Sequence, residues 1–443
     1  MKLKILNNIP KWKIFPSVDT LGYFSPLGNY ICLNEFEDEK DFEKTLQNPS
    51  LDKNRFSVYI HEYQHYIDQI STLWGVKKLH NIYDSYNAVF KNDEYKFYKH
   101  RELYLNFKRD YFLDYYTIKY NHIQGDYQNR WKFEITSGLR YDYNGKINEN
   151  CPIPFVSFAS NNDEKISRVP ISVVSLLETT ATNAEFQFLI NEANKLDGNY
   201  KEIQLKAISK KLESKLYHPE LTLYSVAVHL TSVYLGINDP IIGYEISSIF
   251  AKIALNMPSQ LFKLVPFTEK INSSEEWKKR SNKLIENQDR GFIFYLLLQN
   301  YLNHNGKLKN NEISVETILK SSNLPTEVEI EELITQEILE MDMAMMRNAN
   351  DFNKRIIDKV FFGNKFRKST GIAQDKKSAD LTEFTREKPF LIFKNTYFEY
   401  EELDLQVIYN KIALQQEVTI EEWFRLYSFC EKKIDDFNEI CGI

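Results

Sequence analysis

Cysteine is scarce in this sequence. The four cysteines, Cys32, Cys151, Cys430 and Cys441, are scattered and form no Cys-x-x-Cys pair. A disulfide framework or a cysteine zinc knuckle needs closely spaced pairs, so neither is encoded here. The pattern fits a reducing compartment, and we expect a cytoplasmic protein.

A surplus of positive charge is also lacking. Lys and Arg together number 56 against 62 Asp and Glu, which gives a formal net charge of −6, and no sustained basic run occurs. Proteins that bind nucleic acids or anionic membranes usually concentrate Lys and Arg on one surface. We therefore expect no nucleic-acid partner and no membrane partner.

Long apolar runs and several common enzyme motifs are missing too. The most apolar stretches, 221–237 and 241–255, contain His229, Glu245 and Lys252, so they are predicted to be buried helices and not membrane spans. Asn and Pro interrupt the N-terminus before an apolar signal core develops, so no signal peptide is expected. No GxxxxGK, GxGxxG or GxSxG pattern indicates a phosphate loop, a dinucleotide turn or a nucleophile elbow.

The residues that are present favour a large, mainly helical protein. The 443 residues are 43% apolar and 27% charged, close to globular averages. Stretches without Gly or Pro, with apolar residues at three- and four-residue steps, predict a mainly α (α+β) fold. Short alternating runs near the N-terminus and around the Asn144-Gly145 pair predict a small β portion, the second of them as a hairpin.

One motif carries chemistry. The sequence HEYQH begins at His61 and ends at His65, inside a helix predicted from Phe56 to about Leu73, with Gly75 as its stop. Four residues make about one helical turn, so both imidazoles project from one face and can share one cation. The residue after the first histidine is a glutamate, offset around the helix by about 100 degrees, where it can take a proton from water without competing as a ligand.

This motif resembles the HExxH signature of the zincin metallopeptidases. The resemblance implies that His61 and His65 bind Zn²⁺ and that Glu62 is the catalytic general base, which takes a proton from the attacking water and passes it to the leaving amine. It also implies a zincin-like core, in which a second helix supplies a further ligand. The expected substrates are peptides or proteins.

A catalytic zinc needs a third protein ligand. The metzincin pattern places it in HxxGxxH, but Asp68 and Ser71 stand at the Gly and His positions of that pattern, so this branch is excluded. The gluzincin-like peptidases use a Glu on a later helix, and the resemblance points to Glu178 in the run LLETTATNAE. A charge in such apolar surroundings is costly unless it is paired or metal-bound. The long stretch between His65 and Glu178 is then an insertion.

Three further residues are candidates around such a site. Glu185 lies two turns beyond Glu178 on the same face, and is either an alternative third ligand or a partner of an imidazole. Asp68 follows His65 by three residues, and either orients an imidazole through its ring N–H or faces solvent. His229 is the lone-histidine candidate for stabilising the transition state, with a hydrogen-bonded core histidine as the alternative.

We divide the chain into three regions. Residues 1–200 are predicted to form the zincin-like catalytic region, with an N-terminal β cap and the hairpin as an insertion and candidate cleft wall. Residues 201–305 are predicted to form helices that pack on this region. The polar stretch 305–311 then predicts a boundary before a mostly helical C-terminal module, 306–443, which is a candidate surface for a protein partner.

The functional expectation is a zinc-dependent metallopeptidase. Two other hypotheses stay open: a catalytically silent zincin-like scaffold that binds a protein partner, and an intracellular effector- or toxin-type protease with a single protein target. The same nitrogen and oxygen ligands accept several divalent ions. The expectation of zinc therefore rests on the ligand types together with the resemblance.

Overall fold

The structure is a computed structural model that describes residues 3–4, 21–91, 93–98, 113–142, 145–309, 312–347, 351–374, 389–398, 404–414 and 416–440. Within these ranges the chain is mainly helical and carries three small β-sheets. The predicted mainly α class with a small β portion is therefore confirmed.

Helices make up most of the described chain. The α-helices are α1 (Glu39–Gln47), α2 (Lys53–Ser71), α3 (Leu73–Phe90), α4 (Val173–Asn194), α5 (Gly198–Leu216), α6 (Thr222–Leu235), α7 (Pro240–Leu255), α8 (Glu269–Asn272), α9 (Glu275–Glu286), α10 (Arg290–Asn305), α11 (Val315–Ser321), α12 (Glu327–Arg347), α13 (Asp351–Thr370), α14 (Leu405–Ala413) and α15 (Ile420–Ile440). Short 3₁₀ helices occupy Pro49–Asp52, Leu113–Tyr116, Pro219–Leu221 and Ser259–Leu264. Among the described residues, no helix has both the length and the apolar character that crossing a membrane requires.

The strands form three sheets. They are β1 (Leu3–Lys4), β2 (Gly22–Ser25), β3 (Tyr30–Leu33), β4 (Ile118–Lys119), β5 (Lys132–Tyr141), β6 (Ile147–Ala159), β7 (Lys165–Pro170), β8 (Phe390–Phe393) and β9 (Tyr397–Phe398). β1 pairs with β9, the order β2-β3-β8 gives a three-stranded sheet, and the order β4-β7-β6-β5 gives a four-stranded antiparallel sheet.

The strands β5 and β6 form the predicted hairpin and pair antiparallel along most of their length. Gly145 has a φ of +73° in the turn, a conformation that glycine adopts without strain, and its N–H donates to the Asp142 carbonyl at 3.1 Å. Tyr143 and Asn144 of the same turn lie outside the described residues. The strand β7 extends the sheet, and α4 begins directly after it, so the hairpin precedes the second site helix.

The helix α4 is central to the packing. α2 lies along it, and α6, α7 and α10 also pack against it. Ala181 and Thr182, whose small size predicts a close approach between helices, are 0% and 2% exposed. Helices from the 201–305 region therefore pack directly on the helix that carries Glu178.

Residues after 306 share a core with the N-terminal residues. The strand β8 pairs in parallel with β3, and α13 and α15 pack on α3. Trp423 on α15 is 1% exposed, and its indole N–H donates to the Gly28 carbonyl at 2.6 Å. The polar stretch 305–311 predicts a boundary before the C-terminal module, 306–443. The main hydrophobic core of the described residues contains both Phe24 and Ile434, and a smaller separate cluster contains Ile153 and Phe155.

The helix α13 crosses the C-terminal end of α2 at close range. A Cβ on Gly363 would lie 1.9 Å from the Ile70 carbonyl oxygen, so only glycine fits there. Arg367 is fully buried, donates to the Ser71 carbonyl at 2.7 Å and pairs with Glu331 at 2.9 Å. Because carbonyls at a helix end lack partners within the helix, this arginine caps α2.

The junction after α2 differs from the predicted helix end. α2 ends at Ser71, and the Thr72 hydroxyl caps the next helix by accepting from the Gly75 N–H at 3.0 Å. Gly75, predicted as the stop, thus lies in the first turn of α3. A Cβ there would lie 2.4 Å from the Asp68 carbonyl oxygen, so glycine is needed for the tight turn between two helices and not for ending one.

Candidate metal centre

The HEYQH motif lies in the middle of α2. Asp52 caps the helix by accepting from the Arg55 N–H at 3.3 Å, and no Gly or Pro interrupts it. Glu62 and His65 are 8% and 6% exposed, and the side chain of His61 is 14% exposed. Glu62 and His65 therefore point into the protein, and His61 keeps partial contact with solvent.

Glu178 lies in the second turn of α4. A capping box begins this helix: Ser172 and Ser175 exchange side-chain to backbone hydrogen bonds. The Glu178 side chain is 14% exposed and lies against α2. The predicted second helix thus exists and presents the predicted carboxylate to the motif.

Three donor side chains from α2 and α4 converge. His61 Nε2 lies 3.3 Å from Glu178 Oε2, and His65 Nε2 lies 3.7 Å from Glu178 Oε1. One ligand atom from each of the three residues lies within 4.8 Å of the other two. Donor atoms bound at about 2.1 Å to one tetrahedral zinc ion lie about 3.4 Å apart. The spacing therefore fits a single small cation.

The electrostatics of the site also fit a cation. Burial opposes protonation of His61, but its contacts with Glu178 and Glu185 and the charge of Glu62 outweigh burial and raise the pKa of His61 to about 10. Burial also opposes ionisation of Glu178, yet the charges of His65 and His61 lower its pKa. The same carboxylates that hold a proton on His61 would attract a divalent ion in its place.

His65 differs from His61 in its surroundings. Burial lowers the pKa of His65 to about 4, with Glu178 opposing the shift and His61 adding to it. The ring is therefore neutral near pH 7, as a metal ligand must be. Its Nδ1 is buried and has no hydrogen-bond partner within the part of the chain that the structure describes.

Glu185 lies behind His61 and not among the three converging donors. Its Oε2 is 3.5 Å from His61 Nδ1 and 3.0 Å from Lys215 Nζ, while Lys211 Nζ is 3.9 Å from Oε1. Burial would raise the pKa of Glu185, but Lys215 and His61 outweigh it and lower that pKa to about 2. A permanently ionised carboxylate therefore faces the ring nitrogen of His61 that points away from Glu178.

Glu62 lies beside the edge of β2. Burial raises its pKa to about 7, against the charge of His61 and a hydrogen bond from the backbone of Phe24. A Cβ on Gly22 would lie 3.3 Å from Glu62 Cγ, so the strand passes very close to this carboxylate. A carboxyl group that titrates near neutrality suits a role in proton transfer.

Asp68 turns away from the imidazoles. It is fully buried, and its carboxylate accepts from Gln64 Nε2 at 2.8 Å and from the Thr180 hydroxyl at 2.5 Å. Burial raises its pKa to about 6, and the charge of Lys252 limits the rise. The sequence predicts the Asp68 side chain either beside an imidazole or in solvent, and these contacts match neither position. The reason is that α4 covers this face of α2.

His229 lies in an aromatic cluster on α6. It is 2% exposed, stacks on Trp131 with ring centroids 5.2 Å apart, and its Nε2 lies 2.7 Å from the Leu216 carbonyl oxygen. Phe158 and Tyr217 also pack against the ring. These surroundings correspond to the alternative stated above, a hydrogen-bonded core histidine.

Several neighbours of the site carry no signal in the sequence. Lys215 comes from α5, the Phe24 backbone from β2, and Thr180 is one of three threonines close together on α4. Tyr244 on α7 is 1% exposed, and its phenol pKa is raised by burial first and then by the charges of Glu185 and other groups. Only packing between distant elements brings these groups to the motif, so no spacing rule predicts them.

No protein-family model, curated protein or solved structure matches this chain. A family is therefore not shown, and any function must be argued from the geometry of the site and from the HEYQH motif.

Proposed function

We propose that this protein is a zinc-dependent metallopeptidase with a zincin-like core, in which His61, His65 and Glu178 hold Zn²⁺ and Glu62 is the general base. The observation that carries the proposal is the convergence of these three donors within 4.8 Å of one another, with Glu62 next to the first of them along α2. Two imidazoles and one carboxylate are a ligand set of known catalytic zinc sites.

Each residue has a distinct task in this proposal. Zinc held there would polarise the scissile carbonyl and lower the pKa of water. Glu62 takes the proton of the attacking water and passes it to the leaving amine, a role suited to its pKa of about 7. A cation beside Glu62 favours its ionised form, which is the form that accepts a proton. Glu185 holds a proton on His61 Nδ1, and zinc in place of the second ring proton would leave the Nε2 lone pair to bind the ion.

The edge of β2 favours an extended peptide as the substrate. The Asn34 N–H donates to the Leu21 carbonyl at 2.9 Å, and hydrogen-bonded pairs alternate along antiparallel strands, so the Gly22 and Phe24 backbones point away from β3. The Phe24 N–H already donates to Glu62, so a peptide on this edge would pair with Gly22. Among the described strands, none pairs with this edge. Extended peptides bind such edges through main-chain hydrogen bonds, here beside Glu62.

The test compares wild type with Glu62→Gln, both loaded with zinc, on a library of peptides followed by mass spectrometry. We expect cleavage by the wild type and a loss of about 10²- to 10⁴-fold in Glu62→Gln, because the amide cannot accept the proton. Zinc content should be equal in both, since Glu62 is not a ligand. Glu192→Gln, which removes a buried carboxylate from α4 away from the motif, is the matched control and should cleave normally.

Two results would contradict the proposal. One is zinc-loaded wild type that cleaves no member of the library, and the other is Glu62→Gln that cleaves as fast as wild type.

A further inference from the structure

A buried polar contact joins the two helices that carry the converging donors. Asp68 on α2 and Thr180 on α4 are both fully buried, and the Thr180 hydroxyl lies 2.5 Å from Asp68 Oδ2. Gln64 Nε2 donates to the other carboxylate oxygen at 2.8 Å. Both oxygens of a fully buried carboxylate are thus engaged, one by its own helix and one by the neighbouring helix.

The Thr180 hydroxyl has two acceptors within reach. It lies 2.8 Å from the Leu177 carbonyl and 2.5 Å from Asp68, but it has only one proton to donate. An ionised carboxylate is the stronger acceptor, and O–H···O⁻ bonds are about 2.5–2.7 Å long. The charge of Lys252, a 7% exposed residue on α7, acts on Asp68 and helps to keep it ionised. The Thr180 hydroxyl therefore donates its proton to Asp68 on α2 and not to the Leu177 carbonyl of its own helix.

The position of this bond relates it to the metal centre. Asp68 follows His65 by three residues, and Thr180 follows Glu178 by two. Less than one turn of helix on either side therefore connects the bond to the pair His65 Nε2 and Glu178 Oε1, which are 3.7 Å apart. A change in the spacing of α2 and α4 at this bond would change the spacing of those two donors.

We propose that Asp68 and Thr180 are positioning residues of the metal centre: their hydrogen bond sets the spacing and register of α2 and α4 before the ion binds. The inference rests on the proposed zinc site. Groups outside the ligand set that orient ligands typically change metal affinity about 10- to 100-fold when they are removed. Without this bond, part of the binding free energy is consumed in bringing the two helices together.

Thr179 offers a matched control for Thr180. It is also fully buried on α4 and adjacent to Glu178, but its hydroxyl donates to the Ser175 carbonyl of the same helix at 2.8 Å. Replacing either threonine by valine removes one buried hydroxyl and keeps the volume. Only Thr180→Val removes a bond between α2 and α4.

The experiment measures the zinc dissociation constant of wild type, Thr180→Val, Thr180→Ser and Thr179→Val by competition with a chromophoric chelator, together with thermal unfolding of each metal-free protein. We expect Thr180→Val to weaken zinc binding about 10-fold or more. Thr180→Ser, which keeps the hydroxyl, and Thr179→Val should bind within about twofold of wild type. If the melting temperature of the metal-free protein falls equally in Thr179→Val and Thr180→Val, a general loss of stability does not explain a loss of zinc affinity in Thr180→Val alone.

Equal zinc affinity in Thr180→Val and wild type would overturn the inference, as would equal weakening in Thr179→Val and Thr180→Val. If Thr180→Val does not fold, Thr180→Ala takes its place, because the smaller side chain cannot clash. Wild type that binds no zinc at all would instead contradict the proposed function, so the two failures are distinguishable in one titration.

Discussion

The metal centre around His61 and the aromatic cluster around His229 both bury an imidazole, yet they surround it with opposite chemistry. Glu178 and Glu185 contact His61, whereas the ring of His229 stacks on Trp131. Burial disfavours the charged form at both places. The pKa of His61 nevertheless rises to about 10, while that of His229 falls to about 4.

The difference shows that neighbouring carboxylates, and not burial, separate a candidate metal ligand from a core histidine. A cation can replace the proton of His61 because the negative charges that hold the proton also attract the metal. The hydrogen bond of His229 to the Leu216 carbonyl needs no ion. Three predictions test this comparison.

The largest effect is expected when Glu185 loses its charge. Glu185→Gln keeps the size of the side chain but removes the charge that holds a proton on His61 Nδ1, so zinc affinity should fall about 10- to 100-fold. Competition titration with a chelator measures the change. The matched control is Glu192→Gln, 8% exposed on the same helix and paired with Lys195, which should bind zinc like wild type. Equal zinc affinities of Glu185→Gln and Glu192→Gln would mean that the carboxylate beside His61 does not distinguish it from His229.

A smaller effect is expected on stability in acid. His229 has a pKa of about 4 when folded, below the usual value near 6.5, so the unfolded chain takes up a proton there as the pH falls. The contribution of the neutral His229 ring to the free energy of unfolding is complete above about pH 6.5 and is lost as the pH falls toward about 4. In His229→Gln, without a titrating ring, the loss of unfolding free energy between about pH 7.5 and 5 should be smaller than in wild type by about 2 kcal/mol.

Urea unfolding of the zinc-free proteins at the two pH values measures this difference. His65 also has a pKa near 4 and contributes to the acid loss in both proteins, so it cancels from the comparison. Identical pH dependence in wild type and His229→Gln would mean that His229 is not held neutral by its aromatic surroundings.

The smallest effect is expected on metal binding in the same His229→Gln variant. The ring contacts of His229 are aromatic, and its hydrogen bond goes to a backbone carbonyl, so zinc affinity and peptide cleavage should stay within about twofold of wild type. A loss of cleavage at unchanged zinc affinity would restore His229 as a residue that stabilises the transition state.

The local parts of the site could be predicted from the sequence. The i, i+4 spacing of His61 and His65 is enough to place both rings on one face of a helix, and the apolar neighbours of Glu178 mark a carboxylate that needs a partner. Both features depend on a few consecutive residues. The hairpin β5–β6 was predictable for the same reason, from the Asn144-Gly145 pair.

The remaining features depend on contacts between distant segments. The role of Asp68 is decided by the Thr180 hydroxyl on another helix, since the spacing on α2 alone fits an imidazole or solvent equally well. The parallel pairing of β3 with β8 places C-terminal residues in the N-terminal sheet, and Gly363 and Arg367 fit α13 to the end of α2. A polar stretch at 305–311 contains no information about these contacts.

The most direct test of the proposed metal centre is the zinc content of wild type, His65→Ala, Glu178→Ala and His229→Gln, purified in parallel without added metal and measured by elemental analysis. We predict near-stoichiometric zinc in wild type and His229→Gln, and its loss in His65→Ala and Glu178→Ala. Wild type that contains no zinc and cannot be loaded with it, or Glu178→Ala that retains it, would contradict the three-ligand site.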